Sequence, residues 1–206
     1  MAISNNTAYL FVKKFPFSSP CSIENDTRAN EIYACLNQDE RERKFYVWQL
    51  LDKAVTTLFE KPLSAFDVKK VDGKWVCDDF YFSLTHKNNV VAVAVSLLPV
   101  GVDIEEENPD RFARFTPEKL LCGGEKELYE NTQKCDKTKL INILWTKKES
   151  LFKKSDLKIF NAKTIDTTNV KATTHSVECD SKKYFLSVVF DAENLVEECF
   201  DGVEIR

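Results

Sequence analysis

Histidine is nearly missing from this chain of 206 residues, where only His86 and His175 occur. Zinc hydrolase chemistry built on clustered imidazoles is thereby disfavoured. Glycine (5) and proline (6) are scarce, against a usual combined share of ~12%, so neither a collagenous chain nor a long flexible linker fits. No apolar run reaches the ~20 residues of a bilayer-spanning helix. The longest, Val90 to Val102, is broken by Ser96 and Pro99. Met1 to Phe17 does not read as a secretory signal, because no basic start precedes an apolar segment. The cysteines, at positions 21, 35, 77, 122, 135, 179 and 199, are odd in number and never at C-x-x-C spacing. Reduced thiols of a cytoplasmic protein are expected, not a disulfide framework or a thiolate zinc site. Positive charge is not in excess: the net charge is −4, which disfavours bulk nucleic acid as a partner. A G-x-S-x-G elbow, a P-loop and a G-x-G-x-x-G turn are all lacking, so hydrolase, Walker and Rossmann readings lose their devices.

What is present is a core. Hydrophobic residues make up 43% of the chain and include 15 phenylalanines, enough apolar surface for one large domain or two small, closely joined ones. Thr7 to Val12 reads as a strand, and Asn25-Asp26 caps a short helix running to about Leu36. Asn37 with Glu40 forms a capping-box pattern that opens a longer helix closed by Pro62. In that helix Phe45, Trp48, Leu51, Ala54, Val55 and Leu58 share a face. Asp72-Gly73 marks a tight turn. Strands follow at Phe80–Leu84, Val90–Leu98 and Val100–Glu105. The second half predicts helices over Pro117–Glu130 and Thr138–Lys154, then strands at Val170–Thr174 and Tyr184–Phe190. Each half therefore reads strand, helices, late hairpin. The boundary falls near Pro99–Gly101, giving halves 1–99 and 100–206 that pack tightly.

Three segments carry chemistry. In Gly101-Val102-Asp103-Ile104-Glu105, strand alternation puts both carboxylates on one face, a pair that suits a hard divalent cation such as magnesium. From this segment alone, an exposed strand end running into Glu106 and Glu107 is the favoured reading. In Trp145 to Lys153, helical spacing aligns Trp145, Glu149 and Lys153. That is either an ordinary surface ion pair beside a core tryptophan, or a third carboxylate and a cation for phosphoryl chemistry. Phe82-Ser83-Leu84-Thr85-His86 ends a strand with a hydroxyl and an imidazole, a phosphate seat or a structural histidine.

In order and spacing these segments resemble the Sfp-type 4′-phosphopantetheinyl transferases. The pattern is a glycine–lysine turn (Gly73-Lys74), a serine–histidine strand end (here Thr85-His86), a G-[IV]-D-[IV]-E strand and a W-x-x-K-E-[AS]-x-x-K helix. The resemblance spans about Asn37 to Phe160. It implies an α+β fold, a pseudo-dimer of two similar α/β halves with the active site between them. It also implies an activity: transfer of 4′-phosphopantetheine from coenzyme A to a serine of an apo acyl or peptidyl carrier protein, with 3′,5′-ADP released and magnesium as cofactor. Asp103, Glu105 and Glu149 would be the metal ligands. Lys153 would stabilise the leaving phosphate, with Lys148 assisting. Lys74, Thr85 and His86 would hold the nucleotide end of the coenzyme, and Arg43, in Arg41-Glu42-Arg43-Lys44, would add a phosphate contact.

Glu149 or Glu125 would act as base. Glu125 stands 20 residues before Trp145, and Glu118, in Phe115-Thr116-Pro117-Glu118, is its rival. Thr85 replaces the usual serine and Trp75 the proline common after the glycine–lysine pair, which alters the adenine wall. A monomer without membrane or nucleic-acid partners is expected. Because carrier proteins of this system are acidic, docking should use local lysines: Lys154 and Lys158, or Lys119 and Lys126 beside an exposed Leu120. The alternatives are a magnesium-dependent phosphodiesterase and a non-catalytic module binding coenzyme A or a carrier protein.

Overall fold

Strand β1 (Thr7–Lys14) opens the fold with side chains buried on both faces. The structure, a computed structural model, describes residues 3–15, 26–108, 117–200 and 203–206. Helix α1 spans Asp26–Tyr33; the cap expected at Asn25 lies outside the described residues. Helix α2 (Gln38–Phe59) starts where its signal predicts, the Asn37 side chain accepting from the Glu40 N–H at 3.0 Å. It ends before Pro62, at Glu60, whose φ of 56° is left-handed. The predicted apolar face is the buried one, from Phe45 to Leu58, and each such side chain contributes roughly 1.5–3 kcal/mol. Strands β2 (Val68–Val71) and β3 (Lys74–Cys77) form a small hairpin turned by Asp72 and Gly73, with φ of 49° and 83°. Two consecutive positive φ values are what a two-residue hairpin of type I′ requires. Strands β4 (Tyr81–Lys87), β5 (Val90–Ser96) and β6 (Val100–Glu106) follow.

The helix expected over 117–130 is two, α3 (Pro117–Leu120) and α4 (Gly124–Asn131), broken at Gly123 with φ of 48°. Leu120, expected to be exposed, is buried. Helix α5 covers Lys137–Lys154, and strands β7 (Ala172–Cys179), β8 (Lys182–Phe190), β9 (Asn194–Phe200) and β10 (Glu204–Ile205) complete the described chain.

The strands form two four-stranded sheets, ordered β4-β5-β1-β9 and β10-β7-β8-β6. The runs β4-β5-β1 and β7-β8-β6 share one plan: the second strand of a hairpin lies between its partner and an earlier single strand. Alternation divides each sheet. Leu10, Val12, Val90 and Ala92 meet Val102, Ile104, Leu186 and Val188 in a core between the sheets. Tyr9, Phe11, Val91, Val93 and Val95 face α2, while α5 packs on β6 and β8. Strand β9 runs parallel to β1, from Thr7 opposite Asn194 to Lys13 opposite Phe200. The late chain thus returns to the first sheet. Among the described residues the cysteines are free, and no helix is long and apolar enough to cross a membrane.

Candidate functional site

The site lies where β4 and β6 cross. Both are edge strands, so each presents backbone groups with no ladder partner. Side chains close the seam. The Ser83 hydroxyl accepts from Val102 N–H at 3.0 Å, and the Thr85 hydroxyl accepts from Ile104 N–H at 3.2 Å. Lys153, from α5, donates to Val102 O at 3.1 Å and Leu84 O at 3.4 Å.

Gly101 brings α5 to this seam. A Cβ there would collide with the Ser150 carbonyl oxygen and stand 2.8 Å from the Lys154 nitrogen. Small partners continue the close approach: Ser150 donates to Ser187 O at 2.7 Å, and Thr146 and Ser187 share a hydroxyl bond of 2.7 Å. Glu149 is thereby carried to the face of β6 that bears Asp103 and Glu105. Ligand oxygens of the three carboxylates lie within 4.8 Å of one another.

Asp103 is 3% exposed. Its Oδ1 accepts from Lys153 at 2.7 Å and from Thr85 at 3.2 Å, while its Oδ2 is buried with no hydrogen-bond partner. Burial pushes the Asp103 carboxyl above its ordinary range, and the Lys153 ammonium pulls it back. A buried polar atom left open requires an explanation. Three converging carboxylates beside it make a hard divalent cation the group that fits. The donor set is therefore compatible with magnesium.

Lys87, which sequence reasoning passed over, places its Nζ 2.7 Å from Glu105 Oε2. Its signal was the same alternation that pairs Asp103 with Glu105, since Thr85 and Lys87 share one row of β4.

At the start of α2, Arg43 bonds Glu40 through Nε and Nη2, both at 3.2 Å. The His86 Nε2 stands 3.7 Å from the same glutamate. Burial lowers the His86 pKa; Glu40 opposes this, and Arg43 and Lys153 add to it. Lys74 lies elsewhere, bonded to Ser155 O just past α5 and 5.3 Å over the Phe152 ring. It lines a cleft of about 340 Å³ with Trp75, Phe82, Leu84 and Lys153. Lys153 borders both this cleft and the carboxylates.

Two expected site residues stand apart. Lys148 Nζ meets Glu125 Oε2 at 2.6 Å, with the two side chains 1% and 0% exposed. It also donates to Ala162 O at 2.9 Å and to Ile165 O, so its three N–H donors are all engaged. The other Glu125 oxygen accepts from Thr167 N–H at 3.1 Å and Thr167 Oγ1 at 2.7 Å. Lys148 and Glu125 thus form a closed, buried cage apart from the carboxylates of β6. One residue along a helix turns the side chain by about 100°, which separates Lys148 from Glu149. Glu118 is exposed on α3, and Phe115 and Thr116 before it lie outside the described residues. Thr85 gives its proton to Asp103 and a lone pair to Ile104 N–H. Trp145, half-buried, packs edge-on against Phe160 at 5.4 Å beside the cluster of Leu120, Leu121, Ile141 and Leu144.

Residues 99–199 match the family model of the 4′-phosphopantetheinyl transferase superfamily. The matched stretch, just under half of the chain, holds Asp103, Glu105, Glu149 and Lys153. The match operates at the level of the superfamily and does not select the Sfp-type branch. No curated protein matches the chain.

Proposed function

We propose that this protein transfers 4′-phosphopantetheine from coenzyme A to a serine of an apo acyl or peptidyl carrier protein, as an Sfp-type enzyme dependent on magnesium. The observation that carries the reading is the convergence of Asp103, Glu105 and Glu149 around an open, buried carboxylate oxygen, within the stretch that matches the superfamily. Those three residues would hold the cation. Magnesium, when bound, supplies charge neutralisation at the pyrophosphate.

The protein's own residues do the rest. Lys153 keeps Asp103 oriented and adds positive charge at the mouth of the cleft. Arg43 and His86 would receive the 3′-phosphate, and Lys74 with Trp75 would line the nucleotide end. In the transfer the serine oxygen bonds to the phosphorus bearing the pantetheine arm. The bond from that phosphorus to the bridging oxygen breaks, and 3′,5′-ADP leaves with the electron pair. The serine proton passes to Glu149, directly or through water.

Supporting the two-half reading, 1–99 and 100–206 related by a pseudo-twofold axis, are the shared strand runs of the two sheets, with β9 added to the first. One chain supplies every carboxylate and lysine of the centre, so a monomer would suffice. The cytoplasm, where its thiols stay reduced, is the proposed location.

The test follows the nucleotide. Coenzyme A and magnesium should yield 3′,5′-ADP only when an apo carrier protein is present. Release without any carrier would identify a phosphodiesterase instead.

A further inference from the structure

Strand β4 meets β6 as a row of three side chains. Ser83, Thr85 and Lys87 alternate onto one face, and their contacts advance along β6 in step: Val102 N–H, then Asp103 with Ile104 N–H, then Glu105. Ser83 and Thr85 satisfy an edge. Lys87 instead meets a carboxylate of the centre, Glu105.

We infer that Lys87 is the resident counter-ion of the carboxylate centre and sets how tightly that centre holds a cation. This rests on the reading of Asp103, Glu105 and Glu149 as a divalent-cation site. The two lysines of the centre differ in how they are held. Lys153 has three acceptors and takes only Oδ1 of Asp103, leaving Oδ2 open. Lys87 lies 2.7 Å from Glu105 Oε2 as an ion pair. Its side chain is 32% exposed and that of Glu105 9%, so the ammonium approaches from the solvent side of a buried carboxylate.

A divalent cation entering beside Glu105 is repelled by Lys87 and competes with it for one carboxylate. Once displaced, Lys87 stands at the rim as an uncommitted positive charge, available to an anionic co-ligand such as a pyrophosphate. Cation and anion would bind in favour of each other, the first releasing what the second uses.

The test is isothermal titration of manganese into the full chain without coenzyme, comparing wild type with Lys87→Gln, Lys87→Arg and Lys182→Gln. Lys182 lies 3.0 Å from Glu106 and serves as a neighbouring charge outside the centre. Lys87→Gln should tighten manganese binding by about fivefold or more, the low end of ordinary coupling between two binding events. Lys87→Arg should stay close to wild type, and so should Lys182→Gln. Unchanged or weaker binding in Lys87→Gln overturns the inference, as does equal tightening in Lys182→Gln. Absence of binding by both wild type and Lys87→Gln overturns the cation reading itself.

Discussion

A carboxylate buried as deeply as Asp103 is costly unless every oxygen is engaged or the group is neutralised. Here the two oxygens divide the work. One is held by Lys153 and Thr85, and the other is buried with no hydrogen-bond partner, in a carboxyl grouped with those of Glu105 and Glu149. Thr85 therefore acts on the centre through Asp103, and we expect it to be a positioning residue. Thr85→Val keeps the shape but removes the bond to Asp103 and leaves Ile104 N–H unpaired, at a cost of about 1–3 kcal/mol. The magnesium concentration for half-maximal transfer should rise several-fold while the KM for coenzyme A barely moves, and Thr85→Ser should restore both. A rise confined to the coenzyme KM would return Thr85 to the nucleotide site. At this scale the sequence was most legible where periodicity alone decides: Asp103 with Glu105, and Glu149 with Lys153. It was illegible where burial decides. The cage of Ala162, Ile165 and Thr167 around Lys148 and Glu125 is drawn from downstream of α5 and leaves no local pattern at either residue.

Helix α5 and strand β6 form the centre only because they nearly touch. Gly101, Ser150 and Ser187 are the small residues at that contact. Gly101→Ala puts a methyl group against backbone atoms, which cannot rotate away. The expected loss is about 3 kcal/mol or more, read as a lowered urea midpoint, together with collapse of transfer as Glu149 and Lys153 move off β6. Full stability in that variant would show that α5 is free to shift and does not depend on the glycine. The elements of the first half were readable because capping, turn and apolar signals coincide, as at Asn37 and Asp72-Gly73. Strand β9 was not. Its sequence, NLVEECF, is mostly exposed at the edge of the first sheet, and parallel pairing with a strand about 190 residues earlier leaves no local pattern.

As a whole the molecule is acidic, with net charge −4, yet Arg43, Lys74, Lys87 and Lys153 are distributed around one seam and its cleft. Local charge, not net charge, is what an anionic coenzyme meets. The acidic carrier protein implied by the proposal needs its own local attraction. Lys154 and Lys158 are already paired, with Asp191 at 2.5 Å and Asp72 at 3.1 Å, whereas Lys119 and Lys126 are exposed. Leu120, buried against α5, adds no apolar surface beside them. The carboxylate centre lies at the seam between the two four-stranded sheets. The most direct test of the account is the intact mass of apo acyl and peptidyl carrier proteins after incubation with coenzyme A, magnesium and this protein. The account predicts that at least one carrier gains the mass of a single phosphopantetheine with the wild-type chain and none with Asp103→Asn. Carriers that all remain unmodified by the folded wild-type protein, or that are modified equally by Asp103→Asn, would contradict it.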